Sequence, residues 1–135
     1  MLVTKPAFLT AGCISITQAE VDGAEVYSDA IARFKQWQLQ YSNIIFGSWG
    51  DYDRKQFEQD SKFHKIPYPI ASEHINLKHL FTENQNLKKR YGMAQALELA
   101  GLNLIGTHHR GIDDARNIAR LLPYILGLST VQDRQ

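Results

Sequence analysis

Apolar side chains recur with a helical period in two stretches of the chain. Ala30, Ile31, Phe34, Trp37 and Tyr41 fall on one face of a helix beginning near Ser28, with Arg33, Lys35, Gln36 and Gln40 on the other. Ala115, Ile118, Ala119, Leu122 and Ile125 make a second such stripe, on a helix running from near Asp113 to about Leu126. Between them, residues 43–48 are a short apolar run ending in Gly47-Ser48, the pattern of a buried strand. Residues 75–81 alternate well enough to predict a second strand. Gly50 and Asp51 turn the chain into a helix over 52–63, and a shorter helix over 92–100 is closed by Gly101. Thr17-Gln18-Ala19-Glu20 fits a capping box opening a short helical turn that Gly23 ends. Residues 1–11 read as loop around Pro6, Pro67 and Pro69 hold an extended linker, and residues 84–86 make a turn.

The order helix, strand, helix, strand, helix, helix predicts an α/β layer. Two strands alone make a poor sheet. Part of the sheet is therefore expected to be missing from this chain or supplied by another one.

The 135 residues fit one domain, without internal repeats or low-complexity segments. The hydrophobic share of 44% and charged share of 21% are ordinary for a globular protein. A net charge of +1 gives no electrostatic footprint for tight, indiscriminate nucleic-acid binding. An enzyme that holds a nucleic acid briefly needs none, because metal ions in its site supply positive charge. The single cysteine, Cys13, lies between Gly12 and Ile14 and reads as a small buried thiol; no intrachain disulfide can form. No apolar stretch approaches the ~20 residues of a membrane span. These features predict a soluble, cytoplasmic protein.

The candidate chemistry sits in Gly106-Thr107-His108-His109-Arg110-Gly111-Ile112-Asp113-Asp114-Ala115-Arg116-Asn117-Ile118-Ala119. A histidine on a loop precedes, by five residues, an aspartate on the first turn of a helix. Such a carboxylate can hold a cation while the imidazole reaches a water beside it, and an imidazole ordinarily titrates near neutrality, as a general base should. Gly111 is expected to let the loop fold back over the helix start. Asp113 serves the helix dipole as well as Asp114 does, leaving one of the two acids free for metal. His108 is expected only to shape the loop, and His64, His74 and His79 have no metal-ligand spacing.

This string resembles the third motif of the DEDDh exonucleases of the ribonuclease-H-like superfamily, and within them the Eri-like exoribonucleases. The resemblance implies that His109 activates the attacking water and that Asp114 is a metal ligand. Gly47-Ser48-Trp49-Gly50-Asp51-Tyr52-Asp53 resembles the second motif, with Asp53 aligned to the metal-binding aspartate and Asp51 its competitor. Residues 9–22 resemble the segment around a short helix after the family's third strand, and residues 75–78 its fifth strand, so the likeness covers roughly 9–126.

The resemblance implies an α/β, ribonuclease-H-like exonuclease fold and a metal-dependent hydrolysis of RNA or single-stranded DNA from the 3′ end, releasing nucleoside 5′-monophosphates. The cofactors would be two Mg2+ or Mn2+ ions. The family's first motif is an Asp-x-Glu pair on a strand, and no strand here carries one; Glu20-Val21-Asp22 is acidic but lies on or after a short helix. Residues 1–135 thus read as a partial exonuclease domain that keeps the second and third motifs and lacks the first motif and the first three strands of the mixed sheet. Two-metal chemistry needs several carboxylates around ions about 4 Å apart, so metal binding by Asp53 and Asp114 alone is expected to be weak. Trp49 and Arg110 are candidates for substrate contact, against core packing for the ring and a solvated charge for the guanidinium. An open sheet edge would take a complementing chain or a second copy. The alternative is a catalytically inactive module, derived from an exonuclease, that binds nucleic acid or protein.

Overall fold

The computed structural model describes residues 16–132. The loop expected over 1–11 and Cys13 lie outside them. Within the described residues the fold is α/β: helices packed around a two-stranded parallel sheet. No helix among the described residues is long and apolar enough to cross a membrane.

Helix α1 (Gln18–Gly23) opens through the capping box the sequence predicts. The Thr17 hydroxyl accepts the Glu20 N–H at 3.3 Å, and the Thr17 N–H donates to Glu20 Oε2 at 2.7 Å. The hydrogen bonds from Thr17, backbone first and hydroxyl second, hold the Glu20 carboxyl below the usual carboxylate range, with a smaller attraction from Arg110.

Helix α2 (Tyr27–Gln38) buries Ile31 and Gln38, whose amide donates to the Pro69 carbonyl at 3.0 Å. Tyr41 lies past its end. Aromatic rings join this helix to α3 (Tyr52–His64) and to strand β1 (Phe46–Ser48): Phe34 stacks on Phe57 at 6.1 Å, and Phe57 meets Phe46 edge-on at 5.9 Å. The strand is shorter than the run at 43–48. It pairs in parallel with β2 (His74–Asn76), Phe46 opposite His74 and Ser48 opposite Asn76. Helix α3 is the crossover that parallel pairing requires.

The strand expected over 75–81 is corrected by the structure: it ends at Asn76. The Asn76 side-chain oxygen accepts the His79 N–H at 3.0 Å and so caps helix α4 (Leu77–Asn84). Leu77, Leu80 and Phe81 then share a helical face, and packing of the fully buried Phe81 decides between the two periods. Phe81 joins Met93, Ala96 and Leu97 of α5 (Met93–Leu99) and Leu121 and Ile125 of α6 (Gly111–Ile125) in one core. Gln85, buried just past α4, donates to the carbonyls of Tyr124 and Ser129 and accepts the Val131 N–H at 2.9 Å, tying the end of α6 to this core.

The inward face of α6 also differs from the expected one. Asp113, Asn117, Leu121 and Ile125, spaced by four, are the buried positions. Of the predicted apolar stripe, only Ile125 is fully buried, while Ala115, Ala119 and Leu122 are exposed. With Ile45, Ile75 and Leu80 they line an open apolar groove beside the sheet.

Candidate active site

The site is built where the 105–110 loop meets the start of α6, and buried polar groups of that helix set its shape. Asn117 is fully buried. Its Oδ1 accepts the Ile105 N–H at 3.1 Å, and its Nδ2 donates to the carbonyls of Ile105 at 2.8 Å and Asp113 at 2.9 Å. Arg120 closes the same network, donating to Asn117 Oδ1 at 3.0 Å and to the Asn103 carbonyl at 2.7 Å. One turn earlier, Asp113 accepts the Thr107 N–H at 3.1 Å. Its carboxyl occupies the space beside Gly106, where an added Cβ would lie 2.5 Å from Asp113 Cγ, and Gly106 has φ +77°. Gly106→Ala is therefore expected to destabilise the protein by about 1–3 kcal/mol, read as a lowered urea midpoint and as faster hydrogen exchange at the Thr107 amide.

Asp113 is thus committed to the loop, and Asp114, the next residue around the helix, is turned to the other side. Its side chain is 25% exposed. Asp114 Oδ1 accepts the His109 N–H at 3.2 Å and lies 3.2 Å from His108 Nδ1. The bend that brings His109 back over the helix start is in His109 itself, at φ +67°. Gly111, the expected pivot, is instead the first residue of α6. The imidazoles of His108 and His109 stack with centroids 3.8 Å apart. One ligand atom from each of His108, His109 and Asp114 lies within 4.8 Å of the others, at the positive end of the α6 dipole.

The segment expected to hold the second motif, residues 47–53, begins in β1 and runs into α3. Asp51 is the residue before α3 and lies 3.8 Å from His74 Nδ1, while His74 Nε2 meets Ser48 Oγ at 2.7 Å. Asp53 is on the first turn of α3, exposed, and is outside the His108–His109–Asp114 group. Trp49 is half-buried: its Nε1 donates to the Tyr91 carbonyl at 3.0 Å and its ring lies 5.6 Å from that of Phe81. Arg110 is exposed at the N-cap of α6, where its carbonyl accepts the N–H groups of Asp113 and Asp114, both at 2.9 Å, and its charge reaches Glu20.

Sequence reasoning gave no role to Asn117 and set His108 aside. A polar residue four after Asp113, in line with Leu121 and Ile125, is the signal that would have found Asn117.

Comparison with known proteins agrees with the resemblance to exonucleases. The family model described as "Exonuclease" (RNase T) matches residues 7–122. The chain is 31% identical over 133 residues to the probable 3′-5′ exonuclease KapD of Bacillus subtilis, covering 94% of this chain and 60% of the relative. It is 29% identical to mouse ERI1 exoribonuclease 3 over 84% of this chain and 37% of that protein. Human 3′-5′ exoribonuclease 1 is 28% identical over 81% of this chain and 34% of that protein. The chain thus spans three fifths or less of the length of these relatives. No solved structure matches it. With His109 and Asp114 side by side at the start of α6, and a family model that matches most of the sequence, the chain belongs to the exonuclease family.

Proposed function

We propose that this chain carries the acid-base half of a 3′–5′ exonuclease acting on RNA or single-stranded DNA. The observation that carries the reading is the contact of the His109 backbone with Asp114 Oδ1, which sets an exposed imidazole beside a part-exposed carboxylate. His109 takes the proton of the attacking water on an unprotonated ring nitrogen. Water oxygen then bonds to phosphorus as the bond to the 3′ oxygen breaks; that oxygen stays on the shortened strand and takes a proton from solvent, and a nucleoside 5′-monophosphate leaves. The carboxylates of Asp114 and Asp53 suit a divalent cation that keeps several waters and uses few carboxylates plus substrate phosphate. Asp114 and Asp53 would hold Mg2+ or Mn2+, which when bound stabilises charge at the phosphate and makes a coordinated water more acidic. Arg110, beside the imidazole in sequence and exposed, contacts a substrate phosphate in this reading. The Trp49 ring, half spent on the core, is the weaker candidate for a base contact.

Residues 1–135 act here as a partial exonuclease domain of ribonuclease-H-like fold, without the first motif. The apolar groove lined by Ile45, Ile75 and Ala119 supports added strands, from a complementing chain or a second copy. One cysteine in the whole sequence fits a reducing compartment such as the cytoplasm.

The test is a 5′-labelled single-stranded RNA or DNA incubated with the pure chain and Mn2+. Stepwise shortening from the 3′ end is expected, with at least about a hundredfold loss in Asp114→Asn. Oligonucleotide binding without any shortening, in Mn2+ or Mg2+, would reject self-sufficient catalysis.

A further inference from the structure

We propose that His108, His109 and Asp114 also form a binding site for a borderline transition-metal ion, Zn2+ foremost, and that filling it withdraws His109 from proton transfer. Only the second clause rests on the nuclease reading.

Neighbouring side chains on an extended loop ordinarily point apart. Here the left-handed φ of His109 folds the two rings onto each other, 3.8 Å between centroids, on the same side as Asp114. Zinc binds imidazole nitrogen and carboxylate oxygen at about 2.0–2.2 Å in tetrahedral sites, which puts neighbouring ligand atoms about 3.4 Å apart. His108 Nδ1 and Asp114 Oδ1 are already 3.2 Å apart, and all three donors fit within 4.8 Å, so small side-chain rotations close the set. The fourth position opens to solvent, where a water or a phosphate oxygen completes it.

The donor chemistry discriminates between ions. Two imidazoles and one carboxylate suit zinc, cobalt or nickel. Magnesium demands oxygen donors and releases its water reluctantly. The ion that would support hydrolysis and the ion this trio prefers are therefore different. An imidazole whose lone pair is on zinc cannot accept a proton from water. The site would act as an off-switch that responds to free zinc.

A competing surface site is available: His79 Nε2 lies 2.9 Å from Glu83 Oε1 on the exposed side of α4. The two are separated by titrating the pure chain with Zn2+ by calorimetry and with Co2+ by its visible absorption. One site per chain is expected, with a cobalt spectrum of a four-coordinate nitrogen and oxygen set. Losing even an outer partner of a metal ligand costs about 10–100-fold in affinity, so losing the His108 ligand should cost at least as much. His108→Ala and Asp114→Asn should therefore each weaken zinc binding at least tenfold, and His79→Ala should leave it unchanged. Circular dichroism melts check that the variants are folded; His108 is exposed, so its truncation leaves the core intact.

In the Mn2+-supported nuclease assay, zinc should inhibit the wild-type chain, and His108→Ala should need at least tenfold more zinc for the same inhibition. Retained zinc affinity in His108→Ala, or its loss in His79→Ala alone, would overturn the site. Zinc bound at the trio without inhibition would overturn the switch. A chain that binds zinc through His108 yet cuts nothing in any metal would reject self-sufficient catalysis, and with it the switch in this chain, and leave the site standing.

Discussion

His109→Ala is expected to slow 3′-end hydrolysis by about 10²–10⁴-fold, with substrate affinity unchanged, as measured by single-turnover shortening of a labelled oligonucleotide. A general base acts only in the transition state, so its loss lowers kcat and leaves binding alone. The backbone makes a sharper version available. His109 sits at φ +67°, where a residue with a Cβ is strained by about 1–2 kcal/mol and glycine is not. His109→Gly should therefore match the alanine variant in lost activity and exceed the wild type in stability. Full activity in either variant would remove His109 from the chemistry and with it the proposed function.

Asn117→Leu is expected to destabilise the protein by about 2–4 kcal/mol, because leucine has a similar shape but leaves the Ile105 N–H and C=O without partners, each at about 1–3 kcal/mol. The same change should abolish activity by releasing the loop that carries His109, even at temperatures where the variant is folded. Chemical denaturation gives the first number, and activity well below the transition gives the second. A stable, active Asn117→Leu would show that the loop is positioned by Asp113 alone. Because Asn117 touches the loop and not the reacting atoms, a positioning role predicts a broad rise in proton-exchange rates over 105–109, which His109→Ala should not produce.

How far the sequence foretold this depends on the kind of interaction. The capping box at Thr17 and Glu20 was legible because it is local, fixed by residues three apart. Helices α2, α3 and α5 were found for the same reason, each carrying its own period or its own breakers. The second strand was misread. Alternation and helical spacing overlap over seven residues, and only the burial of Phe81 against α5 and α6 separates them. The inward face of α6 was misread because hydrophobicity pointed to Ala115 and Leu122, whereas buried hydrogen bonds of Asp113 and Asn117 fix the face. His109 and Asp114 stood out through a spacing of five residues that a loop and a first turn can close. Their closeness to His108 could not be read in advance, because it depends on one backbone angle.

The row formed by Ala115, Ala119 and Leu122 has a practical side. Exposed apolar surface beside a short, open sheet favours self-association as protein concentration rises. The isolated chain is then expected to lose monodispersity as it is concentrated, which makes dilute solutions or mild detergent the natural conditions for handling it.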